Sequence, residues 1–215
     1  MLLLHRIYIS NFIKMKKHIT LFISLLFAIS IFAQMPVSDI KKKVHFDQLK
    51  QGILLIQLPD LENKKILKLR ELGQNKAAKM EEKEIIKTRE YIIKGFNEKF
   101  NFCNFYFFNA KDAKNIISGD YQGIFDSEMT PIKKFEKPPY IYIARHGKGN
   151  PNGEVYRYNG DGFQIRYVEN ETLQTIKYDN FFAGGINIFN TPSSLKRSIF
   201  KSIRKLNNKL NREIF

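Results

Sequence analysis

The segment Gly52-Ile53-Leu54-Leu55-Ile56-Gln57-Leu58, closed by Pro59, limits the fold more than any other part of the chain. A short, almost unbroken apolar run that a proline stops is the pattern of a strand with no wet face. Such a strand must lie inside a sheet that is covered on both sides. From Leu61 to Phe100 the apolar residues then recur at helical spacing, with Ile66, Leu69 and Leu72 on one face and Ile85, Ile92, Ile93, Phe96 and Phe100 on another. Gly73 separates the two sets and predicts a break into two helices, with Asp60 as the N-cap of the first. Pairs such as Glu90 and Lys94, four apart, support the wet side of the second. The aromatic run Phe105-Tyr106-Phe107-Phe108 reads as the next strand. Two buried strands joined through helix form a βαβ unit with a parallel pair at its centre.

Beyond that unit, Asp112 begins a short helix over Ala113 to Ser118 that Gly119 stops, and an extended piece spans Tyr121 to Phe125. Pro138 and Pro139 lead into a strand over Tyr140 to Ala144. The turn-rich run His146 to Gly153 predicts a hairpin into Glu154 to Tyr158, and Asn159-Gly160-Asp161-Gly162 a further turn into a strand over Phe163 to Val168. Another strand is expected around Gly185 to Phe189, and Thr191-Pro192 opens a closing helix. The fold class is therefore α/β or α+β, one mixed β-sheet with packed helices in the order β-α-β-α-β-β-(β)-α. That order, with a proline just before the third strand, resembles the thioredoxin-like arrangement. No CxxC is present, so the resemblance implies topology without redox chemistry.

Met15 to Gln34 has a different character: Lys16 and Lys17, an apolar run from Ile19 to Ala33, and a small residue at Ala33. It reads as a signal peptide over residues 1–33, with Met15 the better start than Met1, because its positive end already sits at Lys16 and Lys17. The apolar run is shorter than the roughly 20 residues that span a bilayer, so no membrane-spanning segment is expected after cleavage. Composition and signal resemble exported proteins of AT-rich bacteria, which implies a periplasmic or secreted product. Residues 34–50 read as a polar lead and 51–215 as one globular domain. Cleavage after Ala33 leaves 32 basic against 21 acidic side chains, a net charge of +11. A lone Cys103 excludes an internal disulfide, and its aromatic neighbours make it a packing residue in a strand.

Motifs that would carry chemistry are incomplete. Arg145-His146-Gly147 after a strand resembles the Arg-His-Gly of histidine phosphatases, in which the histidine accepts a phosphoryl group and arginines hold its oxygens. No later histidine exists to complete that set. Gly147 to Gly153 cannot cradle a nucleotide as a P-loop does, since Lys148 is not followed by Ser or Thr at a helix start. Asn159-Gly160-Asp161-Gly162 fails as a calcium loop, because the flanking ligand positions hold Arg157 and Val168. No cofactor and no metal is called for. Asp161, Glu169, Glu171 and Asp179 form a loose acidic group in which a glycosidase-like pair could reside.

Two basic features remain. Arg145, His146 and Lys148 form a rim for an anion, and the closing helix carries Leu195, Ile199, Ile203, Leu206, Leu210 and Ile214 as a stripe beside cations that include Lys201, Arg204 and Lys205. A docking helix with a solvated basic face explains that pattern better than a membrane-lying one. The expectation is an exported, non-catalytic binding domain for an anionic surface, either lipid headgroups or acidic polysaccharide; nucleic acid is disfavoured by export and by the spread of the cations. The alternative is a hydrolase using Arg145 and His146, or the carboxylates near Asp161 and Glu169. Expressed from Met15 in a bacterium, the protein should be recovered outside the cytoplasm beginning near Gln34. Intact mass or N-terminal sequencing checks this, and a product retaining Leu21 to Ala33 would contradict it.

Overall fold

The computed structural model describes residues 37–148, 161–169, 172–175 and 192–212. The signal segment, the Glu154 to Tyr158 strand and the Gly185 to Phe189 strand lie outside the described residues. The chain divides into Met1–Lys41 and Lys42–Phe215, and the second unit holds the whole sheet. Its elements run α1 (Val37–Gln51, begun in the first unit), β1 (Ile53–Leu58), α2 (Lys64–Glu71), α3 (Asn75–Lys99), β2 (Asn104–Asn109), a 3-10 turn, α4 (Ala113–Ile117), β3 (Ile124–Phe125), β4 (Ile141–Lys148), β5 (Asp161–Glu169), β6 (Thr172–Thr175) and α5 (Pro192–Arg212).

The six-stranded sheet has the order β3-β2-β1-β4-β5-β6. β1 lies between β2 and β4 and runs parallel to both, whereas β3, β5 and β6 pair antiparallel with their neighbours. This is a single mixed sheet with packed helices, an α+β architecture. Leu54, Leu55, Ile56 and Leu58 of β1 are shut off from solvent on both faces, as the apolar run requires.

Side-chain alternation sends Leu54, Ile56, Leu58, Phe107, Tyr142, Ala144, Phe163 and Ile165 to one face of the sheet. There they meet Phe46 and Leu49 of α1, Ile92 and Phe96 of α3, and Ile199, Ile203, Leu206 and Leu210 of α5. Phe96 sits at the middle of an aromatic group, 5.1 Å from Phe163 and 5.3 Å from Phe100 between ring centres. The other face carries Ile53, Leu55, Phe108, Ile141 and Ile143, covered by Ile116 of α4 and by Tyr121, Ile132 and Phe135 of the chain that follows it. Each such side chain buried in full contributes roughly 2 kcal/mol.

The break at Gly73 is where the spacing places it: the glycine adopts φ +69° between α2 and α3. The two helices then pack through Ile66, Ala78 and Ile85 and are tied outside by Lys65–Glu81 and Arg70–Glu82 ion pairs. The cap of α2 differs from expectation. Asn63, not Asp60, accepts from the Ile66 amide, while Asp60 Oδ1 accepts from the Lys111 amide beside β2. Asp112 precedes α4 but makes no capping bond.

Residues 37–50, read as a polar lead, are helix. Phe46 and Leu49 are one turn apart and carry α1 into the core, while Lys41-Lys42-Lys43 lie upstream of that contact. Gly52 joins α1 to β1 so closely to β4 that a Cβ there would collide with the Tyr140 carbonyl. β4 continues through His146, Gly147 and Lys148, which pair with Phe163, Gly162 and Asp161. Thus Asp161-Gly162 belong to a strand and not to a turn, because cross-strand pairing satisfies backbone that glycine content had marked for bending.

Ile199, Ile203, Leu206 and Leu210 of the closing helix's apolar stripe are buried in the core, with Leu195 packed against it and Ile214 outside the described residues. Asn207 adds a polar clamp by accepting from the Asn101 amide at 2.9 Å. Ile203→Asp should therefore lower unfolding stability by about 4 kcal/mol, because it forces a charge into apolar packing. Lys201→Asp, on the wet side of the same helix, should change it by less than about 1 kcal/mol. Urea denaturation of both variants checks the contrast.

Candidate functional site

Arg145 and His146 are consecutive in β4 and consequently project from opposite faces of the sheet. His146 follows Tyr142 and Ala144 onto the helix-covered face, where its ring lies 5.0 Å from that of Phe163. Arg145 follows Ile141 and Ile143 onto the other face and is exposed. Lys148, paired with Asp161, closes the strand two residues beyond His146. Of the expected rim, Arg145 is therefore parted from His146 by the sheet. A turn would have let neighbouring side chains converge, and a strand separates them. The phosphatase-like use of Arg145 with His146 loses its geometry for the same reason.

Within the loose acidic group, Asp161 and Glu169 are held apart. Asp161 and Glu169 occupy the two ends of β5, which at the rise of an extended chain sets their backbones about 27 Å apart. Paired carboxylates that share a glycosidic bond need to stand within roughly 10 Å of each other. Glu171 and Asp179 lie outside the described residues. Among the described residues no group of His, Cys, Asp and Glu is placed to hold a metal ion, and no helix is long and apolar enough to cross a membrane. Cys103 is free and half-buried, one residue before β2, and burial pushes its thiol up to about 12. It stays a thiol at neutral pH and is a poor nucleophile.

The remaining sequence candidates, Lys201, Arg204 and Lys205, are exposed on α5. They share the side of the helix away from Ser198, Ile199, Ser202, Ile203, Leu206 and Asn207, all buried. Arg197 and Arg212 extend the same side. No Asp or Glu occurs anywhere in Pro192–Arg212. Among the described residues, Arg197, Lys201, Arg204 and Arg212 make no ion pair. Lys196 lies 5.6 Å from the ring centre of Phe200 on the same helix. The result is a basic strip about 22 Å long from Arg197 to Arg212 at the helical rise.

Two polar groupings join residues far apart in the sequence. Arg89 of α3 donates to the Pro59 carbonyl at 2.7 Å and to Asn109 Oδ1 at 2.9 Å, stitching the carboxyl ends of β1 and β2 together. Burial draws its guanidinium down from its ordinary value, and Asp60 opposes that shift. At the opposite end of the sheet, the Tyr142 hydroxyl donates to Gln48 Oε1 at 3.1 Å and lies 3.1 Å from His45 Nδ1. With its single proton given to Gln48, Tyr142 accepts from an Nδ1–H on His45. The His45 ring also packs on Tyr167 at 4.7 Å. Burial first, then Tyr167 and Tyr140, hold the Tyr142 hydroxyl well above the ordinary phenol range, so it remains protonated. His45 and Gln48, one turn apart on α1, were the one local sign of this network, and it shows only once α1 is known to be a helix.

Comparison with family models, with curated proteins and with solved structures finds no match for this chain. The His45 network predicts a pH response. Burial holds His45 below its ordinary 6.5, with Glu169 opposing, so the folded protein binds this proton less readily than the unfolded chain. Its contribution to stability is present above pH 6.5 and is lost as pH falls through the folded value. The melting temperature should therefore drop between pH 7.5 and 5, and His45→Gln should reduce that drop, as calorimetry at both pH values would measure.

Proposed function

We propose that the mature chain is an exported, non-catalytic binding domain that docks to an acidic polysaccharide at the cell envelope or outside it. The observation that supports this is the outward side of α5, where Arg197, Lys201, Arg204 and Arg212 stand exposed and, among the described residues, without acidic partners, while the opposite side is locked into the core. Unneutralised cations in a row repel one another and cost stability unless a counter-charge arrives from outside. A polymer with repeated negative charges supplies it along the whole strip.

The same geometry disfavours a bilayer as the partner. A helix that lies in a membrane interface must bury its apolar side in lipid, and on α5 that side is already occupied by Phe96, Phe163 and their neighbours. The mature charge of +11 would add long-range attraction, which depends on salt.

Lys201→Glu combined with Arg204→Glu should leave the melting temperature nearly unchanged and weaken binding to an alginate or polygalacturonate column by at least about tenfold at low salt. Binding by the unaltered protein should fall steeply as salt is raised. No retention at low salt, or equal retention of the double variant, would remove the proposal; stronger binding to anionic vesicles than to the polysaccharide would move it to the membrane.

A further inference from the structure

The pairing of β4 with β5 sets Arg145 opposite Gln164 and Ile143 opposite Arg166. Arg145 and Arg166 are therefore diagonal neighbours on the sheet face opposite α5. β1 contributes Gln57 as the other cross-strand neighbour of Arg145, so an amide side chain stands on either side of that guanidinium. The strand residues continuing this face, Gly147, Gly162 and Val168, bring no carboxylate.

Two guanidiniums side by side without a counter-ion are an uncommon expense in a folded protein. Arg145 is exposed, Arg166 is half-buried, and the enclosed Nε of Arg166 meets no acceptor among the described residues. Among the described residues neither arginine makes an ion pair. Burial, and then the charge of Arg145, draw Arg166 down from its ordinary value. Among the described residues, a Cβ added at Gly147 would meet no atom within 4 Å, so they leave the space next to Arg145 open. These conditions suit a compact dianion: a single carboxylate would leave one of the two cations unbalanced, whereas a phosphoryl group presents enough charge and enough oxygens for both forks and for the flanking amides.

We propose that Arg145 and Arg166, flanked by Gln57 and Gln164, form a binding site for a phosphoryl dianion, either free phosphate or the monoester of a small sugar. The site is separate from the basic strip of α5, which lies across the sheet. It replaces the grouping of Arg145 with His146 that adjacency in the sequence had implied.

Titration calorimetry with the mature protein, at fixed chloride, should show binding of both inorganic phosphate and glucose 6-phosphate and none of glucose. Arg145→Gln and Arg166→Gln should each weaken both phosphates by about tenfold or more, while the α5 variant with Lys201→Glu and Arg204→Glu binds them as before. The tighter of the two phosphates names the source, and either order upholds the site. Phosphorus NMR on Arg145→Gln alone decides the matter if Arg166→Gln fails to fold, since Arg145 is exposed. Absence of phosphate binding by the unaltered protein, full binding by Arg145→Gln, or equal loss in the α5 variant would overturn the proposal.

Discussion

The rest of the structure depends on β1 having no solvent on either side. Leu54, Ile56 and Leu58 need a cover on one face and Ile53 and Leu55 on the other, so the chain must supply two layers as well as a strand at each edge of β1. The helical cover is built from α1, α3 and α5, which come from the start, middle and end of the described chain. The thinner cover comes from α4 and the segment after it. Because those helices are drawn from such separated stretches, losing one of them exposes the same apolar surface that the others share.

Charge is sorted by the same periodicities that build the core. On α5 the helical repeat sends Ile199, Ile203, Leu206 and Leu210 inward and leaves Arg197, Lys201, Arg204 and Arg212 outside. In β4 the two-residue repeat does the reverse of gathering, since it divides Arg145 from His146 and then brings Arg145 beside Arg166 from another strand. A helix collects residues three and four apart into one surface, and a sheet collects residues that adjoin only through pairing. The basic strip and the arginine pair are the two outcomes of that difference on one basic chain.

The central βαβ unit, the break at Gly73 and the inward stripe of α5 were legible because each is a local pattern whose period is set by backbone geometry. The helix α1 was hidden. Lys41-Lys42-Lys43 dominate its first half, and its apolar contacts reduce to Phe46 and Leu49, too few to show a period. The length of β4 was hidden for another reason. His146-Gly147-Lys148 has the composition of a turn, and it remains extended because Asp161-Gly162-Phe163 pair with it. Pairing partners supply the hydrogen bonds that decide between a strand and a bend, and they are not adjacent in sequence.

The sequence by itself determined which segments must be inside, how many basic side chains the surface must carry, and which familiar catalytic sets are incomplete. Those properties follow from residue type and short-range period. Only the tertiary structure decided which of those side chains meet. It set Arg145 with Arg166 and not with His146, gave Asp60 to the Lys111 amide and not to a helix cap, and joined His45 to Tyr142 across 97 positions. Such contacts arise from strand register and from helices seated on a sheet, and register is fixed by the burial of the whole face at once.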